Sequence, residues 1–333
     1  GQLLLRRWDL LRCEGRFGQL AWEAERVLAR EPAWVPAAIA LRQASAAREA
    51  ARAGPRARVV VASAFCGERF RERMRPAQEN HARWCALHGY EYACLEENIA
   101  GREDPTWSKL LHVLQLLRGG ADWVFWMDAD SLFIHDGEDL QWACDLDRDF
   151  VCAGDLNVCF NAGHFLVRRC AWAEQFLSDA FRIYPWRQWQ DNGAMMILLG
   201  GGSANDSSTW QSAFDRMKVP TRSQGECQFA MKHLVAPGLV PHVLIVPQHR
   251  LNAYEWPGGG GVQAVVRGDP ILHFAGCSAE EKPLLAQRFA VIDGDPQALM
   301  RFAPPQQRVE PAVRAGAARG ESGGAPGLKI CAR

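Results

Sequence analysis

The stretch 123-WVFWMDADSL-132 joins five large apolar residues to two carboxylates, Asp128 and Asp130, spaced by one residue. The apolar run is too short for a membrane helix and fits a strand buried on both faces. The two aspartates then follow its carboxyl end, the edge of an open α/β sheet where ligands bind. Side chains at i and i+2 of an extended chain point the same way, so both carboxylates can reach one hard cation. Because Mg²⁺ and Mn²⁺ favour carboxylates and neutralise phosphates, the stretch predicts a metal–phosphate site.

The same stretch fits two other interpretations. Asp-Ala-Asp is common in turns that cap a following helix. An apolar strand ending in Asp-x-Asp also resembles the start of the haloacid-dehalogenase phosphatases, in which the first aspartate is a nucleophile. Those enzymes usually carry Thr or Val two residues after the second aspartate, where this chain has Leu132. The choice among the three therefore depends on the rest of the chain.

Length, charge and hydropathy limit the classes of protein to which this chain can belong. With 333 residues the chain is long enough for one large core with appendages. Its 38 basic and 38 acidic residues balance, so we expect neither nucleic acid nor an anionic membrane surface as a partner. No apolar run approaches about 18 residues, which predicts no transmembrane segment in this chain. Because the chain starts with Gly, we expect a fragment whose anchor or signal lies upstream.

Cysteine and tryptophan usage adds three expectations. The eleven cysteines form no C-x-x-C pair, which argues against a zinc ribbon. Cys144, Cys152 and Cys159 lie close together along the chain and could pair in an oxidising lumen, and Asn205 begins a glycosylation sequon. Most of the thirteen tryptophans are expected in the core, and some are expected to form platforms under sugar rings.

Three segments are predicted along the chain. Residues 1–55 form a helical extension that resembles one tetratricopeptide repeat running into the next, with Pro32 ending the second helix, although a generic Ala/Arg-rich hairpin fits equally well. One repeat cannot bury its own face, so we expect either further repeats upstream or packing on the main domain. A protein partner at these helices is a further option. Ala53-Gly54-Pro55 marks the boundary to a main domain over residues 56–303. Residues 304–333 lack periodicity and are predicted to be disordered.

Strand and helix patterns alternate at the start of the main domain. Arg58–Ala64 reads as a buried strand, Asn80–His88 as a helix that stops at Gly89, and Tyr90–Cys94 as a second strand. Trp107–Leu117 has the apolar spacing of a further helix, and the Asp-x-Asp strand follows it. This alternation predicts an α/β fold with a parallel sheet and helices on both faces.

From Arg58 to about Lys282 the chain resembles glycosyltransferase family 34, which contains galactosyl, mannosyl and xyloglucan xylosyltransferases. Seven short blocks of that family occur here in order. The blocks are Asn80 with His88-Gly89-Tyr90; Trp107-Ser108-Lys109; Trp123 to Asp130; Phe160-Asn161-Ala162-Gly163 with Phe165-Leu166-Val167-Arg168; Gln190-Asp191-Asn192 with Ala194; Val246-Pro247-Gln248 with Asn252-Ala253-Tyr254; and Gly268-Asp269 with His273-Phe274-Ala275-Gly276-Cys277. Each block alone is a weak signal, but seven in order disfavour the phosphatase interpretation.

The resemblance implies a GT-A type fold, with a Rossmann-like, mostly parallel central sheet. It implies a glycosyltransferase that depends on a divalent metal, Mn²⁺ or alternatively Mg²⁺. The enzyme would retain the anomeric configuration and form an α-glycosidic bond. The expected donor is UDP-galactose or UDP-xylose, with GDP-mannose as a further option, and the expected acceptor is a hydroxyl of a glycan or polysaccharide. Family members imply a location in the Golgi or secretory-pathway lumen.

The resemblance also assigns roles to individual residues. Asp128 and Asp130 would hold the metal with His273 as the third ligand, since neutral imidazole is an acceptable donor to Mn²⁺. Read by itself, a histidine after two apolar residues is more often a satisfied core residue. Asp191 and Asn161 are the expected catalytic residues. A carboxylate at Asp191 would stabilise an oxocarbenium-like state, and Asn161 would line the sugar pocket.

Donor and acceptor residues complete the expected site. The donor-binding residues are Ser63, Lys109, Asp128, Ala129, Asp130, Gly163, Gln190, Gly276 and Lys282, and the acceptor residue is Gln248. Lys109 and Lys282 are the two candidates for the cation beside the phosphates. Plant members carry a basic residue directly after the HxxGC block, where this chain has Ser278, and this departure counts against Lys282. Many members carry a second acid at the position of Gln190, so no nucleophile is assigned. Asp191 is alternatively a helix N-cap, and residues 258–261 are a flexible loop or a mobile lid.

Two other functions stay open at this stage. The first is a non-catalytic module that binds a sugar or nucleotide sugar on the same fold. The second is a scaffold whose N-terminal helices carry the function. The acidic and histidine set argues against a decayed site, because a site without function has no physical need for buried charges. Metal-dependent turnover would separate the transferase from both alternatives.

Overall fold

The computed structural model describes residues 2–13, 17–52, 57–134, 139–144, 146–254, 265 and 269–290. The predicted boundary at 53–55, the glycines at 258–261 and the tail at 304–333 lie outside these ranges, so the three-segment division stays a prediction. Within the ranges that are described, none of the helices combines the length and the apolar character that crossing a bilayer requires.

Eight strands and twelve helices are described. The strands are β1 Val59–Ala64, β2 Glu91–Leu95, β3 Trp123–Met127, β4 Ser131–Phe133, β5 Phe150–Ala153, β6 Asn161–Arg168, β7 Val243–Val246 and β8 Ile271–His273. The helices are α1 Gln2–Cys13, α2 Phe17–Arg30, α3 Val35–Arg52, α4 Glu68–Arg73, α5 Arg75–His88, α6 Ser108–Arg118, α7 Gln141–Cys144, α8 Ala171–Arg182, α9 Gln190–Leu199, α10 Trp210–Arg216, α11 Gln224–His233 and α12 Glu281–Phe289.

Six strands form the central sheet in the order β2-β1-β3-β6-β5-β7. β1 pairs in parallel with both β2 and β3, and β5 pairs in parallel with β7. Only β6 runs against its neighbours β3 and β5. The predicted α/β fold with a mostly parallel sheet is therefore confirmed.

Helices cover both faces of this sheet because its central strands are apolar on both sides. Val60 of β1 and Trp126 of β3 belong to a core cluster that contains apolar residues of α6, α8 and α9. Their neighbours Val61 and Phe125 belong to a second cluster that contains Trp84 of α5. The stretch 123-WVFWM-127 is buried over its whole length, as the apolar run predicts.

The predicted elements near the start of the main domain are found, with shifted ends. The helix predicted over 80–88 begins earlier, at Arg75, because proline is favoured at the start of a helix and Pro76 stands there. It ends as predicted at Gly89, whose left-handed φ of 70° favours glycine. Trp107 lies in a short 3₁₀ turn that leads into α6 rather than in α6 itself.

A small second sheet brings distant parts of the chain together. β4 pairs with β8 in antiparallel register, with Ser131 opposite His273. The backbone amide of Phe274 donates to the carbonyl oxygen of Asp130 at 2.9 Å. This pairing sets the histidine of the last sequence block beside the Asp-x-Asp segment.

The N-terminal helices have a core of their own. Trp8 of α1, Leu20 of α2 and Ala40 of α3 are buried in one apolar cluster, and Trp8 also donates its indole N–H to Glu23 at 3.0 Å. α2 ends at Arg30, shortly before Pro32, as predicted. The likeness to a tetratricopeptide repeat stays a prediction.

The cysteine expectation is not met. Nine of the eleven cysteines have side chains that the structure describes, and all nine are free thiols. Cys152 and Cys159 are buried, and burial raises the pKa of both thiols, so they behave as small apolar core residues.

His81 gives the fold a predictable response to acid. It is fully buried, its Nδ1 lies 3.0 Å from the hydroxyl of Ser63, and burial lowers its pKa from 6.5 to about 4. Between pH 6.5 and pH 4, His81 binds a proton in the unfolded chain but not in the folded chain. The free energy of unfolding therefore falls as the pH falls. We expect wild type to lose about 3 kcal/mol more than His81→Gln between pH 6.5 and 4 in urea unfolding. An equal loss of unfolding free energy in wild type and His81→Gln would contradict this prediction. So would an effect of the same size from the control variant His233→Gln at the surface.

Candidate active site

A cavity of about 820 Å³ opens at the carboxyl ends of β1 and β3. Eleven of the thirteen residues that the sequence assigns to the site line it. They are Lys109, Asp128, Ala129, Asp130, Asn161, Gly163, Gln190, Asp191, His273, Gly276 and Lys282. Residues spread over more than 170 positions of the chain thus meet at one edge of the sheet, the edge that the Asp-x-Asp stretch predicts.

Asp128, Asp130 and His273 form the chemical centre of this cavity. One ligand atom from each lies within 4.8 Å of the others. The Nε2 atom of His273 is 3.3 Å from a carboxylate oxygen of Asp130 and 4.0 Å from one of Asp128. Two carboxylates and one imidazole are a donor set that suits a divalent cation of the Mn²⁺ or Mg²⁺ type.

Asn252 sets the direction in which His273 presents its ring. The side-chain amide of Asn252 donates to the hydroxyl of Tyr254 at 2.8 Å, which leaves its oxygen as an acceptor. That oxygen lies 2.6 Å from Nδ1 of His273, so Nδ1 donates this hydrogen bond and Nε2 is the ring nitrogen that faces the aspartates. His164 packs edge-on against the same ring at 4.9 Å. A second residue that fixes the tautomer in this way is a feature of histidines that bind metals.

Removing the Asn252 acceptor is expected to weaken cation binding. Asn252→Leu keeps the approximate volume but frees Nδ1 of His273, so the ring loses its fixed tautomer. We expect the Kd for Mn²⁺, measured by calorimetry, to rise about 10- to 100-fold while the protein stays folded. Asn157→Leu, at an exposed residue that lines the same cavity, serves as the control. An unchanged Kd in Asn252→Leu would remove this residue from the site.

Lys109 neutralises two of the carboxylates. Its ammonium lies 3.0 Å from Asp128, 2.8 Å from Asp191 and 2.9 Å from the carbonyl oxygen of Ala162, to which it donates. The side chain is almost fully buried. Burial alone would lower its pKa, but the carboxylates of Asp128 and Asp191 raise it above its usual value. Lys109 is therefore a buried cation that joins the Asp-x-Asp segment to α9.

Lys282 approaches the other aspartate. Its ammonium lies 2.8 Å from Asp130, although Ser278 stands where plant members have their basic residue. His273 and Lys282 together hold the pKa of Asp130 well below its usual range, against the effect of burial. Gly276 lines the cavity with a left-handed φ of 75°, a conformation that favours glycine.

Asn161 belongs to a hydrogen-bond network deeper in the cavity. Its amide donates to Asp155 at 2.6 Å and to the hydroxyl of Tyr254 at 3.0 Å, and its oxygen accepts from the backbone N–H of Gly163 at 2.7 Å. A Cβ on Gly163 would lie 2.6 Å from the ring of His273, so only glycine fits there. Burial raises the pKa of the Asp155 carboxyl. The network connects the sugar-pocket candidate Asn161 to the ring of His273 through Tyr254 and Asn252.

Two of the assigned residues do not reach the cavity. Ser63 is fully buried with its hydroxyl against His81, and its neighbour Ala64 lines the cavity instead because side chains alternate along a strand. Gln248 is also fully buried and donates to the backbone oxygen of Asn252. The donor role of Ser63 and the acceptor role of Gln248 are therefore corrected: both stabilise the walls rather than face the cavity.

Asp191 is not the N-cap of its helix. α9 begins at Gln190 with Trp189 in the cap position, and the Asp191 side chain points to Lys109 instead of the helix amides. Asn192, which follows it, accepts the backbone N–H of Ala162 at 2.7 Å. The start of α9 is thereby bonded to β6, which fixes Asp191 in the cavity wall.

Three residues of the site escaped the sequence reasoning. Asn252 lies in a quoted block, but its orienting role depends on the fold that brings it to His273. Asp155 follows β5 in a Gly-Asp pair, a signal that a strand end in this sheet could have supplied. Trp189 lines the cavity as an exposed aromatic residue, and composition alone cannot single it out among thirteen tryptophans.

Comparison with protein families gives a match over most of the folded part of the chain. The model of the galactosyl transferase GMA12/MNN10 family matches residues 58–144 and 145–283. Among curated proteins, "Probable glycosyltransferase 2" of Oryza sativa subsp. indica is 32% identical over 113 residues, 30% of this chain and 23% of that protein. "Xyloglucan 6-xylosyltransferase 4" of Arabidopsis thaliana is 31% identical over 119 residues, 30% of this chain and 22% of that protein. The similarity therefore spans about a quarter of these relatives' length.

Two solved structures are similar at low sequence identity. A glycosyltransferase involved in the glycosylation of the major capsid of PBCV-1 has a TM-score of 0.46 and 13% identity, covering 69% of this chain and 98% of that chain. The galactosyltransferase LgtC, solved with donor and acceptor sugar analogs, has a TM-score of 0.34 and 12% identity, covering 71% of this chain and 98% of that chain.

Proposed function

Because the chain belongs to the galactosyl transferase GMA12/MNN10 family, we propose that it transfers a sugar from a nucleotide sugar to a hydroxyl of a glycan or polysaccharide. Its GT-A fold is confirmed by this membership and by the mostly parallel six-stranded sheet. The observation that carries the proposal is the convergence of Asp128, Asp130 and His273 at the sheet edge, with Lys109 and Lys282 beside them. This is an arrangement for a diphosphate and a divalent cation.

We propose that the reaction depends on Mn²⁺, with Mg²⁺ as the alternative. The donor set fits such an ion, since two carboxylates face an imidazole whose Nδ1 is occupied by Asn252. Asp128, Asp130 and His273 would hold the ion, which when bound would neutralise charge on the leaving diphosphate. Lys282 lies beside Asp130 and would add a further positive charge next to the phosphates.

We propose that the transfer retains the anomeric configuration of the sugar. Asp191 is held in place by Lys109 and would face the positive charge that develops at the anomeric carbon. We propose that the acceptor hydroxyl attacks from the face on which the diphosphate leaves, without a covalent enzyme intermediate, and passes its proton to the departing phosphate oxygen as the anomeric C–O bond to the diphosphate breaks. Gln190 has no carboxylate to act as a nucleophile, which supports this route. Asn161 would hydrogen-bond a hydroxyl of the donor sugar.

We further propose UDP-galactose or UDP-xylose as the donor, with GDP-mannose third, and a Golgi or secretory-pathway lumen as the location. Both proposals rest on family membership. A panel of nucleotide sugars tests the first, and immunofluorescence of the endogenous protein against a Golgi marker tests the second. The N-terminal helices α1 to α3 are proposed as a contact for a protein partner. An affinity purification repeated without residues 1–55 tests that contact.

The deciding experiment measures nucleotide release from UDP- and GDP-sugars with Mn²⁺, after chelation by EDTA, and in Asp128→Asn. We expect release from one donor that is lost on chelation, restored by Mn²⁺ and absent from the variant. Donor binding without release, with or without added oligosaccharides, would favour the non-catalytic binding module. Release that persists in EDTA would contradict the metal dependence.

A further inference from the structure

One tryptophan at the mouth of the cavity stands apart from the others. Trp189 lines the cavity wall, yet 47% of its surface is exposed. Among the tryptophans whose side chains the structure describes, it is the only exposed one. An aromatic ring that is open to solvent inside a binding cavity offers a flat apolar surface to a ligand.

The backbone at this position is strained. Trp189 has a φ of 58° and Gln190 a φ of 42°, both in the left-handed region that glycine adopts most easily. Two successive non-glycine residues in this conformation cost free energy that the surrounding structure must offset. Strained residues of this kind concentrate at functional sites, so this strain indicates a functional role for the segment.

The segment around Trp189 is built to hold this conformation. The indole N–H of Trp186 donates to the carbonyl oxygen of Gln188 at 2.9 Å, and the backbone N–H of Gly193 donates to that of Trp189 at 3.0 Å. A Cβ on Gly193 would overlap the Gln188 carbonyl, so glycine is required at 193 for the turn to close. The strained pair is therefore fixed by packing and hydrogen bonds.

The position of Trp189 relative to the reacting centre defines what it can touch. It lies two residues before Asp191, which is proposed to face the anomeric carbon, and its ring is supported by Phe214 at 5.4 Å. Asp128, Asp130, His273 and the two lysines line the same cavity, and the diphosphate is proposed to bind to them. Trp189 is an exposed residue of that cavity wall at the start of α9, so its ring is accessible to a ligand that binds next to Asp191.

We propose that Trp189 is the acceptor platform, on which a pyranose ring of the acceptor glycan rests with its apolar C–H face against the indole. The inference rests on the proposed function and adds how the acceptor glycan is held, through an accessible face of one of its rings. A flat, rigid ring offers contact area at little conformational cost, and its fixed backbone holds that area beside the donor sugar. On this proposal, the role of the strained turn is to fix the direction in which this ring faces.

The test compares Trp189→Ala, Trp189→Gly and Trp189→Phe with wild type. Transfer of a labelled sugar onto a printed glycan array identifies the acceptor, and its KM is then measured alongside the donor KM. We expect the acceptor KM to rise about tenfold or more in the Ala and Gly variants, the loss of one stacked ring, while the donor KM moves less than about threefold. Trp189→Phe keeps a platform and is expected to stay close to wild type. Phe229→Ala, which removes an equally exposed ring on α11 away from the cavity, is the control.

Melting temperatures separate the backbone strain at position 189 from the proposed role of the ring in acceptor binding. Trp189→Gly is expected to melt above Trp189→Ala, because glycine adopts the left-handed conformation without strain. Because both variants lack the indole ring, we expect the acceptor KM to rise by the same factor in each. An unchanged acceptor KM in Trp189→Ala, an equal rise in donor KM, or no labelled glycan despite donor release by wild type would overturn the platform. No donor release by wild type would instead contradict the proposed function itself.

Discussion

Asp130→Asn is expected to lower nucleotide-sugar turnover about a thousandfold or more, equivalent to about 4 kcal/mol of transition-state stabilisation. One carboxylate oxygen of Asp130 faces Nε2 of His273 at 3.3 Å and the other lies 2.8 Å from Lys282. An amide keeps the size of the side chain but removes its negative charge, so the cation loses an anionic ligand and Lys282 loses its partner. The measurement is nucleotide release with saturating Mn²⁺ and donor.

Asp215→Asn is the matched control for that experiment. Asp215 is an exposed aspartate on α10 that pairs with Lys218, so its replacement removes the same charge outside the cavity. We expect it to keep wild-type turnover. If Asp130→Asn retained more than about a tenth of wild-type turnover while Mn²⁺ affinity was unchanged, Asp130 would not be a ligand of the working site.

Lys109→Met is expected to destabilise the fold by about 3–5 kcal/mol, because it leaves two carboxylates of a buried cluster without their cation. Lys109 is almost fully buried and contacts both Asp128 and Asp191. Methionine fills a similar volume, so the loss reports charge rather than a cavity. The free energy of unfolding in urea measures it.

A second substitution separates the charge effect from packing. Adding Asp191→Asn to Lys109→Met removes one of the orphaned charges, so the double variant is expected to be more stable than Lys109→Met alone. Lys218→Met at the exposed ion pair with Asp215 is the control and is expected to change stability little. If the double variant were the less stable one, electrostatic pairing would not explain the role of Lys109.

The sequence was sufficient where one physical pattern determines the outcome. The apolar run before Asp128 has no stable place except a strand covered on both faces, and that strand ends at the ligand edge of the sheet. Gly89 ended its helix as predicted because few residues adopt the left-handed cap. Position in a motif block also located Asp191, Asn161 and His273 in the cavity wall.

Residues whose role depends on side-chain direction could not be derived in this way. Ser63 and Ala64 are neighbours in sequence, yet only Ala64 faces the cavity, because the two point to opposite sides of β1. Gln248 lies in a motif block, but its side chain turns inward to the backbone of Asn252. A motif block predicts which residues lie near the site, but it does not predict which of their side chains point toward the ligand.

The pairing of β4 with β8 links the site to the folding of the chain. Ser131 and His273 lie opposite each other although about 140 residues separate them, so the cation ligands come from the two ends of one long loop. Closing such a loop costs chain entropy, which any ligand that binds across the closure helps to offset. An ion bound by Asp130 and His273 would therefore stabilise this loop closure, and with it the whole domain. Binding of the ion should accordingly slow global unfolding as well as permit turnover.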